Sequence, residues 1–390
     1  LARRNRTYSP EISFSQLSDR IRKLADTPLR EIGLELESQL AFLQRASKAN
    51  PENGEILKVF LSQVATILQI LPATFNDRFW FDAEMVGAIA SDWNRTTQRL
   101  TGTILTKPES EWAHKSAYIP VGSNREQGKS INVISVPGSD SLSDIDLLDY
   151  PWIFHELAHN LFYYDDSLFV ESFSQRVNSF LGALRLRAIA DQGSAKTKSQ
   201  ATINKIGEFW YPTLTHKNWG HEMAMDIVAL WASGPAFLAA FQDKVEDKSC
   251  DPYRVDKVHP PYAVRAMALS RASKILGWVD EARGIKNLIA NWRKSSWARQ
   301  VDNSYMALTD PKLLDAVVES ALATCDSYSV PNCDRNDILR ISRMLESHQT
   351  PPFGTDLIVA AWLAKEQHHN EAYDNWERET IRSLMNSFTS

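Results

Sequence analysis

Apolar residues recur at helical spacing through most of this chain, and one stretch breaks the rhythm. Leu17, Ile21 and Leu24 fall on one helical face, as do Ile32, Leu36, Leu40 and Leu43, and residues 11–105 read as helical. Asn50-Pro51-Glu52-Asn53-Gly54 separates these from a helix predicted over 55–71, and a further helix is predicted over 82–100. Residues 116–137 change character. The β-rich runs Ala117–Val121 and Ile131–Val136, with Gly122, Ser123, Asn124 and Gly128 between them, predict a hairpin or a small sheet edge. Pro137-Gly138-Ser139-Asp140 ends the second run. Helical periodicity then returns. It predicts helices over 151–163, 167–190, 200–209, 219–232, 234–246, 261–276, 279–293, 311–324, 334–347, 354–366 and 370–387. The polar stretch Asp191–Gln200 reads as a mobile loop. The pattern therefore predicts a mainly α (α+β) fold in which a small β-sheet precedes the helix at 151–163.

Composition narrows the class. Hydrophobic residues make up 43% and charged residues 23% of the 390, as in ordinary globular proteins, and the net charge of −5 argues against a dedicated nucleic-acid binder. Three cysteines are too few for a disulfide framework. Cys325 and Cys333 are close enough in sequence to pair but are expected as reduced thiols, and Cys250 stands alone. The longest apolar stretch, Val59–Leu71, is shorter than the ~20 residues of a membrane span and is interrupted by Gln63 and Gln69. No apolar core follows the basic start Leu-Ala-Arg-Arg-Asn-Arg, so no secretory signal is predicted and a cytoplasmic protein is expected.

The candidate chemistry lies in Phe154-His155-Glu156-Leu157-Ala158-His159-Asn160-Leu161-Phe162. Residues four apart share a helix face, so His155 and His159 can reach one cation. Glu156 can face the open coordination position and take a proton from metal-bound water. The helix is otherwise apolar at Ile153, Phe154, Leu157, Ala158, Leu161 and Phe162, and buried histidines and a glutamate there are costly without a partner. A metal explains all three polar residues. Chance alone gives such a match in roughly one chain in a hundred of this composition, so the surrounding sequence has to carry the rest.

A catalytic zinc takes three protein ligands and keeps an open position. Three candidates compete for the third. Glu222 lies in Gly220-His221-Glu222-Met223-Ala224-Met225-Asp226, where Asp226, one turn on, can accept a hydrogen bond from a ligand histidine. Asp165 follows His159 at a spacing that needs a sharp glycine turn, and Phe162 occupies the place of that glycine. His221 would face away from Glu222. The reading favours Glu222. Further on, in Val258-His259-Pro260-Pro261-Tyr262-Ala263-Val264-Arg265, His259 precedes a helix start marked by prolines. It is a candidate donor to the oxyanion of a tetrahedral intermediate, with Tyr262 beside it. Arg265, one turn into the helix, can pair with a carboxylate such as Asp226 or with substrate.

The order of these motifs resembles the gluzincin metallopeptidases, and within them the HtpX-type and CAAX-prenyl-endopeptidase-like group. That group has HExxH, then Glu-x-x-x-Asp, then His-Pro-x-x-x-x-Arg. Here these are His155 to His159, Glu222 to Asp226, and His259-Pro260 to Arg265, with Met225 where the group often has Ala. The resemblance implies a zincin-like core with Zn²⁺ ligands His155, His159 and Glu222. It also implies Glu156 as general base, Asp226 supporting a ligand, and His259 acting in the transition state. The expected division is a helical N-terminal region over 1–110, a metallopeptidase core over 111–295 and a helical C-terminal region over 296–390. The expected activity is zinc-dependent hydrolysis of internal peptide bonds in few protein substrates, with no membrane span, and with the run at 131–136 as the edge strand that receives the peptide. Two alternatives stay open: a metal-binding regulatory module of the same fold, and a zinc hydrolase of a non-peptide amide.

Overall fold

The computed structural model describes residues 77–99, 103–109, 111–119, 129–137, 141–164, 167–190, 194–210, 218–246, 251–301, 303–368 and 370–389, with isolated helical positions at Leu34, Glu37, Ser38, Ala41 and Arg45. The helices expected before residue 76, Asp165, Cys250 and the connection between the two predicted β runs lie outside these residues. The chain forms two compact units. One takes in residues 1–75 and 115–133, and the other 76–114 and 134–390. The second unit contains every described candidate site residue, and residues 296–390 belong to it.

The described chain is mainly helical with a small sheet. Helix α1 is Asp77–Thr97, and strands β1, β2 and β3 are Thr103–Glu109, Ala113–Ile119 and Lys129–Pro137. Strand β1 overturns the helical reading of residues up to 105. Thr103, Ile104 and Thr106 are β-branched and Pro108 cannot continue a helix, so the segment pairs as a strand. The strand order is β1-β3-β2. This corrects a second expectation: the run at 131–136 is the central strand, with both of its edges paired. Among the described residues the outer strands are β1 and β2.

Helix α2 is Trp152–Tyr164, α3 is Ser167–Ala190, α4 is Ser194–Trp210, α5 is Trp219–Ser233, α6 is Pro235–Glu246 and α7 is Tyr262–Leu276. Residues 194–200, expected to be loop, form the first turns of α4, where a helix with one apolar stripe can begin on polar residues facing water. After α8, Arg283–Lys294, and a short α9, Asn303–Leu308, come α10, Pro311–Ser327, α11, Arg335–Glu346, α12, Thr355–Gln367, and α13, Asn370–Thr389. Among the described residues no helix is long and apolar enough to cross a membrane.

Helix α5 is the centre of the second unit and packs against α2, α7 and α10. It is apolar nearly all round, the pattern of a helix buried on every side. Its start approaches α3 closely: a Cβ on Gly220 would lie 2.4 Å from the Phe173 ring, so only glycine fits there. Helix α2 is equally enclosed, with Ile153, Phe154, Leu157 and Ala158 all buried. Its lead-in is held from the far end of the chain. The Glu377 carboxylate on α13 accepts the Leu147 N–H at 2.7 Å and the Tyr373 hydroxyl at 3.0 Å. Burial raises the Glu377 carboxyl to about 7 despite these donors. Cys325 and Cys333 are buried free thiols.

Candidate metal centre

Three helices supply the site, and each begins in a way that fixes its register. Pro151 opens α2, its carbonyl accepting from Phe154 N–H, which puts His155 and His159 one turn apart on a single face. Asn218 caps α5 by accepting the His221 N–H at 3.2 Å, leaving Glu222 in the first turn, where the positive end of the helix favours a carboxylate. Pro261 precedes α7 and its carbonyl accepts from Arg265 N–H, setting that side chain one turn in.

The side chains converge. Nε2 of His155 lies 3.6 Å from Oε2 of Glu222, and Nε2 of His159 lies 3.7 Å from Oε1. The candidate ligand atoms of these three residues all fall within 4.8 Å of one another, and among the described residues no other group of histidine, cysteine and acidic side chains is gathered closely enough to hold an ion. Two ligands at about 2.1 Å from a tetrahedral zinc stand about 3.4 Å apart, close to the observed spacing. Glu222 is 2% exposed and its Oε1 has no hydrogen-bond partner, a costly state for a buried carboxylate. A cation between the rings and that oxygen removes the cost, so the donor set fits a zinc ion.

Behind the rings a second layer of hydrogen bonds fixes their orientation. Nδ1 of His155 is 2.9 Å from Oδ1 of Asp226. With its proton on Nδ1, the ring donates to Asp226 and turns the Nε2 lone pair toward Glu222. Arg265 in turn donates to Asp226 through Nε at 2.6 Å and Nη2 at 2.5 Å. Arg265 and Asp226 are both buried, and the guanidinium carbon lies 5.4 Å from the Trp152 ring. Burial opposes charge on all these groups, and their partners override it. Hydrogen bonds to Asp226 and Glu222, with the negative charge of Asp226 and Glu156, raise His155 to about 9. The imidazoles of His155, His259 and His159 hold Glu222 well below the usual carboxylate range, and the Arg265 guanidinium lowers Asp226.

The cluster forms one wall of a cavity of about 560 Å³, within the usual size for a small-molecule or peptide site. Glu156 lines it beside His155 and is 6% exposed. His259 and Tyr262 line it from the α7 side, with Nδ1 of His259 3.4 Å from Oε2 of Glu222. His221, weighed as a ligand, is not in the cluster; its ring lies 5.8 Å from that of Phe169. Sequence reasoning missed Trp112, Trp152 and Lys244 in the cavity wall, where the Lys244 ammonium sits 3.8 Å from the Trp152 ring centroid. It also missed Asp256, although an acidic residue three before His259 is a local turn signal. No family model, curated protein or solved structure matches this chain.

Proposed function

We propose that the chain is a zinc-dependent metallopeptidase with a zincin-like core of the gluzincin type, hydrolysing peptide bonds inside a small set of protein substrates. The observation that carries this reading is the buried Oε1 of Glu222, which accepts no hydrogen bond, facing two imidazoles with Glu156 beside them in a cavity wall. His155, His159 and Glu222 would hold the metal, which supplies a Lewis acid and a water of lowered pKa. Asp226 keeps the His155 proton on Nδ1, and Arg265 keeps Asp226 charged and in place. Glu156 takes the proton of the attacking water and passes it to the leaving amine. His259, with Tyr262 next to it, donates a hydrogen bond to the oxyanion. A metal kept only for structure has no use for Glu156 in the wall, which favours catalysis over the regulatory alternative. Free thiols at Cys325 and Cys333 accord with a reducing, cytoplasmic setting as part of this proposal.

The test is digestion of an unfolded protein by the zinc-loaded chain. New N-termini should appear at internal bonds, vanish with a chelator and return on adding zinc. If zinc-loaded protein cleaves no peptide in a broad library, the peptidase reading falls.

A further inference from the structure

We propose that Asp256 is a positioning residue for His259: its carboxylate shapes the preceding loop so that the imidazole stays at the cavity against Glu222. The consequence for turnover rests on the peptidase reading above; the positioning does not.

The His259 side chain is 61% exposed, so packing does not hold it. A surface side chain of this kind exchanges rotamers on the picosecond-to-nanosecond scale unless its backbone limits it. Its backbone is limited from four directions. Oδ1 of Asp256 accepts the N–H of Val258 at 2.8 Å and of His259 at 3.0 Å, closing a side-chain-to-backbone turn. The main-chain oxygen of Asp256 accepts the Trp219 indole N–H at 2.8 Å. Trp219 is the first residue of α5, the helix that carries Glu222, so the loop is fastened to the element its histidine must face. Pro260 follows His259 directly and narrows the backbone angles open to it. At the base of the loop, Asp251 accepts the Tyr253 N–H at 2.9 Å and Pro252 accepts the Ala263 N–H at 3.0 Å. Lys257 also pairs with Glu208 at 2.8 Å, but both side chains are mostly exposed, and such pairs contribute little. Of these restraints only the Asp256 carboxylate acts on the His259 amide itself, and it can be removed from an exposed position without disturbing the core.

The experiment compares Asp256→Ala, Asp256→Asn, His259→Ala and the Asp256→Ala/His259→Ala double variant in the zinc-loaded chain. It reads both turnover and the ring carbon NMR signal of His259, assigned by its absence in His259→Ala. Asp256→Ala should move the ring signal to the free-histidine position and lower kcat about 10- to 100-fold, with KM changed far less. Asp256→Asn keeps an acceptor oxygen and should restore both. The double variant should be no slower than His259→Ala, because the two residues act as one unit. A ring signal unmoved in Asp256→Ala overturns the proposal, whatever the chain does to peptides. So do losses in the two single variants that multiply in the double. If the ring moves and neither single variant changes turnover, the positioning stands and the oxyanion role given to His259 falls.

Discussion

Replacing Glu156 by glutamine should leave zinc bound at the parent stoichiometry and reduce kcat/KM by about 10²- to 10⁴-fold. Glutamine has nearly the same shape and can still accept a hydrogen bond, but it cannot take up a proton near neutral pH. Glu156 is outside the group of converging ligand atoms, so its loss removes none of them. The effect should fall on kcat with little change in KM, as for an interaction made only in the transition state. Metal content and steady-state rates on a cleaved peptide measure this directly. Parent-like turnover would remove Glu156 as the base, and loss of zinc would make it a ligand.

Replacing Arg265 by leucine should destabilise the chain by about 3–5 kcal/mol, the usual cost of leaving a buried charge without its partner. Both oxygens of Asp226 currently accept from Arg265, and the only other hydrogen bond to Asp226 among those described comes from His155. Leucine keeps part of the packing against Trp152, Phe241 and Tyr262, so the deficit is electrostatic more than steric. Adding Asp226→Asn removes the stranded charge, and the double variant should be more stable than Arg265→Leu alone. The sign with pH follows from the lowered carboxyl of Asp226. Its contribution in the parent is complete above its ordinary value of 3.8 and is lost as pH falls through the still lower folded value. In the variant Asp226 takes up a proton at higher pH, so the gap between parent and variant should narrow toward acid. Urea unfolding at pH 7 and pH 4 measures it, and a gap that widens in acid would contradict the assignment.

The parts of the site that could be read from sequence are those fixed by helical geometry. A four-residue spacing places His155 with His159 and Glu222 with Asp226 whatever surrounds them, and enclosed apolar neighbours mark those polar residues as partnered. Arg265 was placed by the prolines that set the start of α7. Missed features depend on packing between segments distant in sequence. Strand β1 looks like a continuation of α1 until it is paired beside β3. The run at 131–136 has the alternation of a strand, but alternation does not say which edges are covered. Lys244 and Trp152 meet across the cavity wall because α6 returns past α2, and no local pattern announces it. The tie from Glu377 to Leu147 spans most of the chain, and from sequence α13 looks like a separate appendage.

The central claim is that one cation sits between α2 and α5, and zinc-edge diffraction from crystals of the zinc-loaded chain tests it most directly. The anomalous map should show a strong peak about 2.0–2.2 Å from Nε2 of His155, Nε2 of His159 and a carboxylate oxygen of Glu222. A peak bound by other residues, or none at this position with zinc in excess, would contradict the account.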